Sequence, residues 1–132
     1  MDGAAHARGG VGARMVGEAK APQSGMTHEI SSLVQALRDF AAARDWAQFH
    51  SPKNLAAALS VEAAELLEHF QWLTEAQSRQ LADDKKAEVA AEAADVLLYL
   101  LQLCDKLDID LLDAARRKMV VNALKYPVPV AR

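Results

Sequence analysis

The chain has 132 residues, which is one domain's worth, and a formal net charge of −3, which argues against a general nucleic-acid binder. Aliphatic residues and alanine dominate while aromatics are scarce, a composition that favours helices over sheets. One cysteine, Cys104, excludes an intrachain disulfide, and no segment is apolar and long enough to span a membrane.

Residues 1–26 are rich in Gly and Ala and lack apolar periodicity, so they read as a disordered N-terminal extension ahead of a helical domain over 27–127. They contain no apolar h-region of a secretory signal. The first helix is expected to start at Thr27, as N-cap, and to fade near Arg44. Ile30, Leu33, Val34, Leu37, Phe40 and Ala41 follow helical spacing along it. Asp45 to His50 forms a connector with two large aromatics, Trp46 and Phe49. Ser51-Pro52 opens a second helix, with serine as cap and proline where its missing N–H costs nothing; it is expected to run to about Leu73. Thr74 to Ala82 is polar and reads as a loop or a short helical turn. A third helix is expected from Asp83 or Asp84 to about Leu107, and a fourth from Asp110 to just before Pro127. Residues 128–132 form a tail. Four helices with short connections imply an all-α, antiparallel four-helix bundle. Cys104 lies in a leucine run, where a free thiol packs as a small apolar residue, and a reducing cytoplasm fits it.

The second helix carries Glu62-Ala63-Ala64-Glu65, the third Glu92-Ala93-Ala94-Asp95. Acids three apart share one helix face. Either motif alone is ordinary surface decoration. Their placement is not ordinary. Leu55, Leu59, Leu66 and Leu73 define an apolar stripe with Glu62 inside it and Glu65 at its edge, whereas Glu68 points to solvent. Val89, Val96 and Leu103 define another, with Glu92 inside and Asp95 at its edge. Carboxylates on core-facing stripes need protons, bases or metal, and these helices offer too few bases. Hard oxygen ligands suit Mg²⁺ or Mn²⁺, whereas a di-iron bundle would want Glu-x-x-His pairs, which are absent. His69 reads as a packing histidine one turn beyond Glu65.

With these acids in place the chain resembles the MazG-like all-α nucleoside triphosphate pyrophosphohydrolases, whose mark is E-x-x-E on one helix and E-x-x-D on the next. It is most similar to the dCTP pyrophosphatase branch. The matching strings run from Arg44 to His50, Pro52 to Leu55, Glu68 to Trp72 and Asp95 to Leu100. They continue with Lys118-Met119, Asn122 and Tyr126 to Val128. The resemblance implies that Glu62, Glu65, Glu92 and Asp95 hold Mg²⁺, and that Trp46, His50, Trp72 and Tyr99 line a nucleoside pocket. It places Lys53, Lys118, Asn122 and Tyr126 near the phosphates or the sugar. It further implies cleavage between the α and β phosphates and a homo-dimer or homo-tetramer. The apolar girdle of the third helix, Val96 to Cys104, independently asks for a partner copy.

Two positions depart from the pattern. Val61 stands where the broad family has a further Glu, a gap that the dCTP branch shares and that suggests a different metal count. Leu37 stands where vertebrate members carry a pocket histidine, which leaves base preference open. A non-catalytic helical scaffold or regulatory bundle, and a phosphoribosyl-ATP pyrophosphohydrolase, are the competing readings at this stage.

Overall fold

A computed structural model describes residues 26–130 of the chain. The expected disordered extension lies, but for Met26, outside the described residues, as do the last two residues of the tail. Helices are the only regular elements among the described residues: α1 (Met26–Ala43), α2 (Pro52–Glu68), α3 (Glu75–Ser78), α4 (Asp83–Lys106) and α5 (Leu111–Lys125), with a 3₁₀ turn at Ala47–Phe49.

Local chemistry explains most boundaries. The Ser51 hydroxyl accepts the Asn54 N–H at 3.1 Å and Pro52 occupies the first turn of α2. Thr74 and Gln77 form a reciprocal capping box on α3, at 3.2 Å and 3.0 Å. Asp110 caps α5 by accepting the Asp113 N–H at 3.0 Å. Helices α1 and α4 end alike. Asp45 and Asp108 both adopt φ of 55°, a left-handed turn that aspartate tolerates better than most residues. The Trp46 N–H then reaches back to the Ala41 carbonyl at 3.0 Å, and the Ile109 N–H to that of Cys104 at 2.8 Å. The first of these turns aims Trp46 back toward α1.

Two expectations need correction. Helix α2 stops at Glu68, not near Leu73: the Phe70 and Gln71 N–H groups both turn back to the Leu67 carbonyl at 2.9 Å, and His69 to Trp72 form turns. The apolar spacing of Leu66 and Leu73 mimicked a continuing helix although no Gly or Pro marks the stop. Helix α1 begins at Met26, one residue before the expected start at Thr27.

Helices α2 and α4 form the principal packed pair, and α1 leans on α4. Leu37, Leu55, Leu101 and Cys104 are the buried apolar residues. On α4 the innermost positions are Leu101 and Cys104, whereas Val89, Val96 and Leu103, expected to be the core stripe, are half-buried. Leu101 and Cys104 face α1 residues Ile30 and Val34 across a shared cavity, so α1 covers a side of α4 outside the expected stripe. Arg38 on α1 grips Asp105 on α4 with two of its nitrogens, Nε and Nη2, the Nε bond measuring 2.8 Å, a fork-to-fork contact that fixes how the two helices lie. Helix α5 is different: beyond its first turn every residue is exposed, including Met119, Val120 and Leu124.

Candidate metal centre and nucleotide pocket

The α2–α4 pairing brings the two acidic motifs together. Carboxylate oxygens of Glu62, Glu65 and Glu92 all lie within 4.8 Å of one another. Glu62 is 5% exposed, and Glu65, Glu92 and Asp95 are half-buried. The Oε2 atoms of Glu62 and Glu92 are fully buried with no hydrogen-bond partner. Such atoms are costly to leave unsatisfied.

The electrostatics follow from this crowding. Burial above all, then the neighbouring carboxyls of Glu65, Asp95 and Glu92, pushes the Glu62 carboxyl up to about 8. Glu92 is also raised, by burial first and then by the charge of Glu65. Four acids cannot all carry charge here without a cation. The donor set is oxygen only, which fits a hard divalent ion, and the two orphaned oxygens are where its ligands are missing a partner. Asp95 stands slightly apart from the three glutamates but still acts on the Glu62 carboxyl.

Asp95 also opens the second half of the site. With Leu37, Phe40, Trp46, His50, Tyr99 and Gln102 it lines a cavity of about 40 Å³ between α1, α4 and the connector. Trp46 meets Phe40 edge-on at 5.6 Å and His50 at 6.1 Å. His50 is buried, and burial together with Lys106 holds its imidazole below the ordinary value, so the ring is neutral near pH 7. The Tyr99 phenol is raised by burial and by the charges of Glu62, Asp95 and Glu65, which places it beside the acid cluster. The cavity meets a larger one of about 100 Å³ along Leu37, Ala41, His50 and Gln102.

A family model for the MazG-like family matches residues 57–132. The chain belongs to the MazG-like family. Among its MazG-like relatives, dCTP pyrophosphatase 1 of Rattus norvegicus is 43% identical over 96 residues, covering 71% of this chain and 56% of the relative. The Homo sapiens dCTP pyrophosphatase 1 is 42% identical over the same length and shares. The chain thus spans just over half the length of the curated relatives it matches. Its fold is that of a pyrophosphatase from Archaeoglobus fulgidus DSM 4304 solved by crystallography. The TM-score is 0.72 and the identity 45%, over 76% of this chain and 94% of the other.

Not every residue expected at the MazG-like site is gathered within one chain. Glu62, Glu65, Glu92, Asp95, Tyr99, Trp46 and His50 are. Lys53 is exposed in the first turn of α2. Trp72 is 86% exposed in the turns after α2, outside the aromatic cavity. Lys118 and Asn122 are exposed on α5, and Tyr126 just beyond it is 69% exposed, its ring under the Lys125 ammonium at 5.3 Å. Lys118 and Asn122 are spaced by four, so they share one side of α5. His69 is a packing residue, its Nδ1 3.7 Å from the Glu88 carboxylate of α4. Sequence reasoning missed Phe40, Leu98 and Gln102 as cavity residues. For Leu98 and Gln102 a signal existed: both continue the Asp95 and Tyr99 face of α4 at helical spacing.

Proposed function

We propose that this protein is a divalent-metal-dependent nucleoside triphosphate pyrophosphohydrolase that converts a deoxynucleoside triphosphate, dCTP foremost, to the monophosphate and pyrophosphate. The observation that carries the reading is the pair of orphaned, buried carboxylate oxygens of Glu62 and Glu92 beside an aromatic cavity, with Asp95 between the two. The names of the relatives agree with it.

In this reading Glu62, Glu65, Glu92 and Asp95 hold Mg²⁺, with Mn²⁺ the other ion such ligands admit. The bound ion offsets the charge of the triphosphate and lowers the pKa of a water. The chain's own residues do the rest. Trp46 and Tyr99 offer flat walls against which a base stacks, and His50 closes the end of the cavity. Lys53, Lys118, Asn122 and Tyr126 serve the phosphates and sugar, and Trp72 covers the nucleoside. For α5 and Trp72 that role needs a second copy, because their side chains face solvent in one chain.

We therefore take the working unit to be a homo-dimer or homo-tetramer. The exposed Met119, Val120, Val121 and Leu124 of α5 and Leu97 of α4 support it, as large apolar side chains that a partner copy would cover. The setting we infer is the cytoplasm, where a free thiol such as Cys104 stays reduced. No nucleic-acid polymer or membrane partner belongs to the reading; no helix among the described residues is long and apolar enough to cross a membrane.

The test is pyrophosphate release from each of the four common deoxynucleoside triphosphates, with Mg²⁺ and with a chelator. Release from dCTP that stops with the chelator is the expected outcome. No release from any of them would leave the helical scaffold as the better reading.

A further inference from the structure

The walls of the aromatic cavity stack a ring but do not choose one. Choice needs a polar atom whose hydrogen-bonding sense is fixed. Leu37, buried at 5% on α1, supplies none. Asp95 belongs to the acid cluster. His50 carries a neutral ring that donates from one nitrogen and accepts at the other, and it exchanges these by tautomerisation, so it adapts to either kind of partner.

Gln102 does not adapt. Its Nε2 donates to the Leu98 backbone carbonyl, one turn back on α4, at 3.1 Å. A carbonyl oxygen only accepts, so the amide cannot be turned over without losing that bond. Its Oε1 is therefore an acceptor of fixed sense. Gln102 is half-buried and lines both the 40 Å³ cavity and the adjoining 100 Å³ one. A ring that enters past Trp46 and fills the space between them comes to lie against this amide.

We propose that Gln102 is the base-selecting residue: its side-chain carbonyl accepts a hydrogen bond from an exocyclic amine, so the pocket takes an amino-pyrimidine such as cytosine and rejects a pyrimidine with a keto oxygen at the same position. The proposal rests on the nucleotide reading of the site and deepens it. An amine satisfies the Oε1 acceptor. A keto oxygen brings a second acceptor against it and leaves both without a donor, which costs more than a missing contact. The small cavity adds the preference for a single six-membered ring over a purine.

The experiment measures kcat/KM of the full chain with Mg²⁺ on dCTP, dUTP, dTTP and the triphosphate of a 2-pyrimidinone deoxynucleoside, which lacks any 4-substituent. The same panel is run on Gln102→Met, a near-isosteric change without the acceptor. Binding of dCMP and dUMP in chelator, by calorimetry, reads base choice without hydrolysis. The wild type should prefer dCTP over dUTP and over the 2-pyrimidinone analogue by about 10–100-fold. Gln102→Met should lose that factor on dCTP and use dUTP better than the wild type does, because two acceptors no longer face each other. The dCMP over dUMP binding preference should collapse likewise.

A purely structural Gln102 would lower dCTP and dUTP use alike, and that outcome overturns the proposal. So does a wild type that uses dCTP and dUTP equally. If the variant does not fold, the 2-pyrimidinone analogue on the wild type decides: use equal to dCTP refutes the amine contact. If the wild type hydrolyses none of the triphosphates, the pyrophosphohydrolase reading fails, and the monophosphate binding ratio still decides this one.

Discussion

Glu62→Gln should stabilise the metal-free protein, and by an amount that grows with pH. The Glu62 carboxyl is 5% exposed and is pushed from an ordinary 4.5 up to about 8, by burial first and then by Glu65, Asp95 and Glu92. Between those values the folded chain holds a proton that the unfolded chain has released. Stability therefore falls as pH rises, by about 1.4 kcal/mol per pH unit, starting at the unfolded pKa and ending at the folded one. From about pH 5.5 to about pH 8 the loss reaches about 3 kcal/mol as an upper bound, because the clustered acids share their protons. Glutamine keeps the shape of the neutral acid and has no such window. In chelator, the stability advantage of Glu62→Gln over wild type should widen by roughly 2–3 kcal/mol across that range, or on the order of 10 °C in Tm. Thermal and urea melts followed by circular dichroism measure it, at one fixed protein concentration because assembly shifts the midpoint. Mg²⁺ should then narrow or reverse the gap, since it favours the intact cluster. A gap that is flat with pH, or a variant less stable than wild type at pH 8 in chelator, would refute the account of the cluster.

Asp95→Asn should lower turnover at saturating Mg²⁺ by about a hundredfold or more while the far-ultraviolet spectrum stays helical, because one ligand charge goes and the shape remains; wild-type turnover would show that Asp95 is no ligand. Leu124→Glu, at an 80% exposed position of α5, should shift the protein toward monomer in sedimentation at low micromolar concentration and lower its activity with it. A fully active monomer, wild type or variant, contradicts the shared site. Asp105→Asn should destabilise the fold near neutral pH by weakening the Arg38 fork. Arg38 holds the Asp105 carboxyl below the ordinary range, so its contribution is present above the unfolded pKa and lost as pH falls through the folded one. The wild-type advantage should thus vanish in strong acid, and a pH-independent difference in denaturant midpoint would speak against the pair.

Local signals proved easiest to read. Ser51-Pro52 and Asp110 announce their helices because a cap needs only its own turn. The acids were legible for a different reason: Glu62 and Glu92 interrupt apolar stripes, and the structure buries Glu62 and one carboxylate oxygen of the half-buried Glu92. The end of α2 was not legible, since His69 to Trp72 turn without Gly or Pro and Leu73 falls in register by chance. The orientation of α4 was misjudged because its Val96 to Cys104 half is apolar on every side, so its sequence cannot say which side α1 takes; Leu101 and Cys104 turn out to be that side. The aromatic cavity joins Phe40 and Leu37 to Tyr99 and Gln102 across the connector, a meeting that only the fold creates. Trp72, Lys118, Asn122 and Tyr126 stay exposed in the single chain, away from the aromatic cavity, and their place in a working site belongs to the proposed assembly.

Phosphorus NMR of dCTP turnover by the wild-type protein tests the central claim most directly. Dependence on Mg²⁺ and equal appearance of dCMP and pyrophosphate are the predicted result, with both signals absent in chelator. Orthophosphate with dCDP, or products that appear equally in chelator, would contradict it.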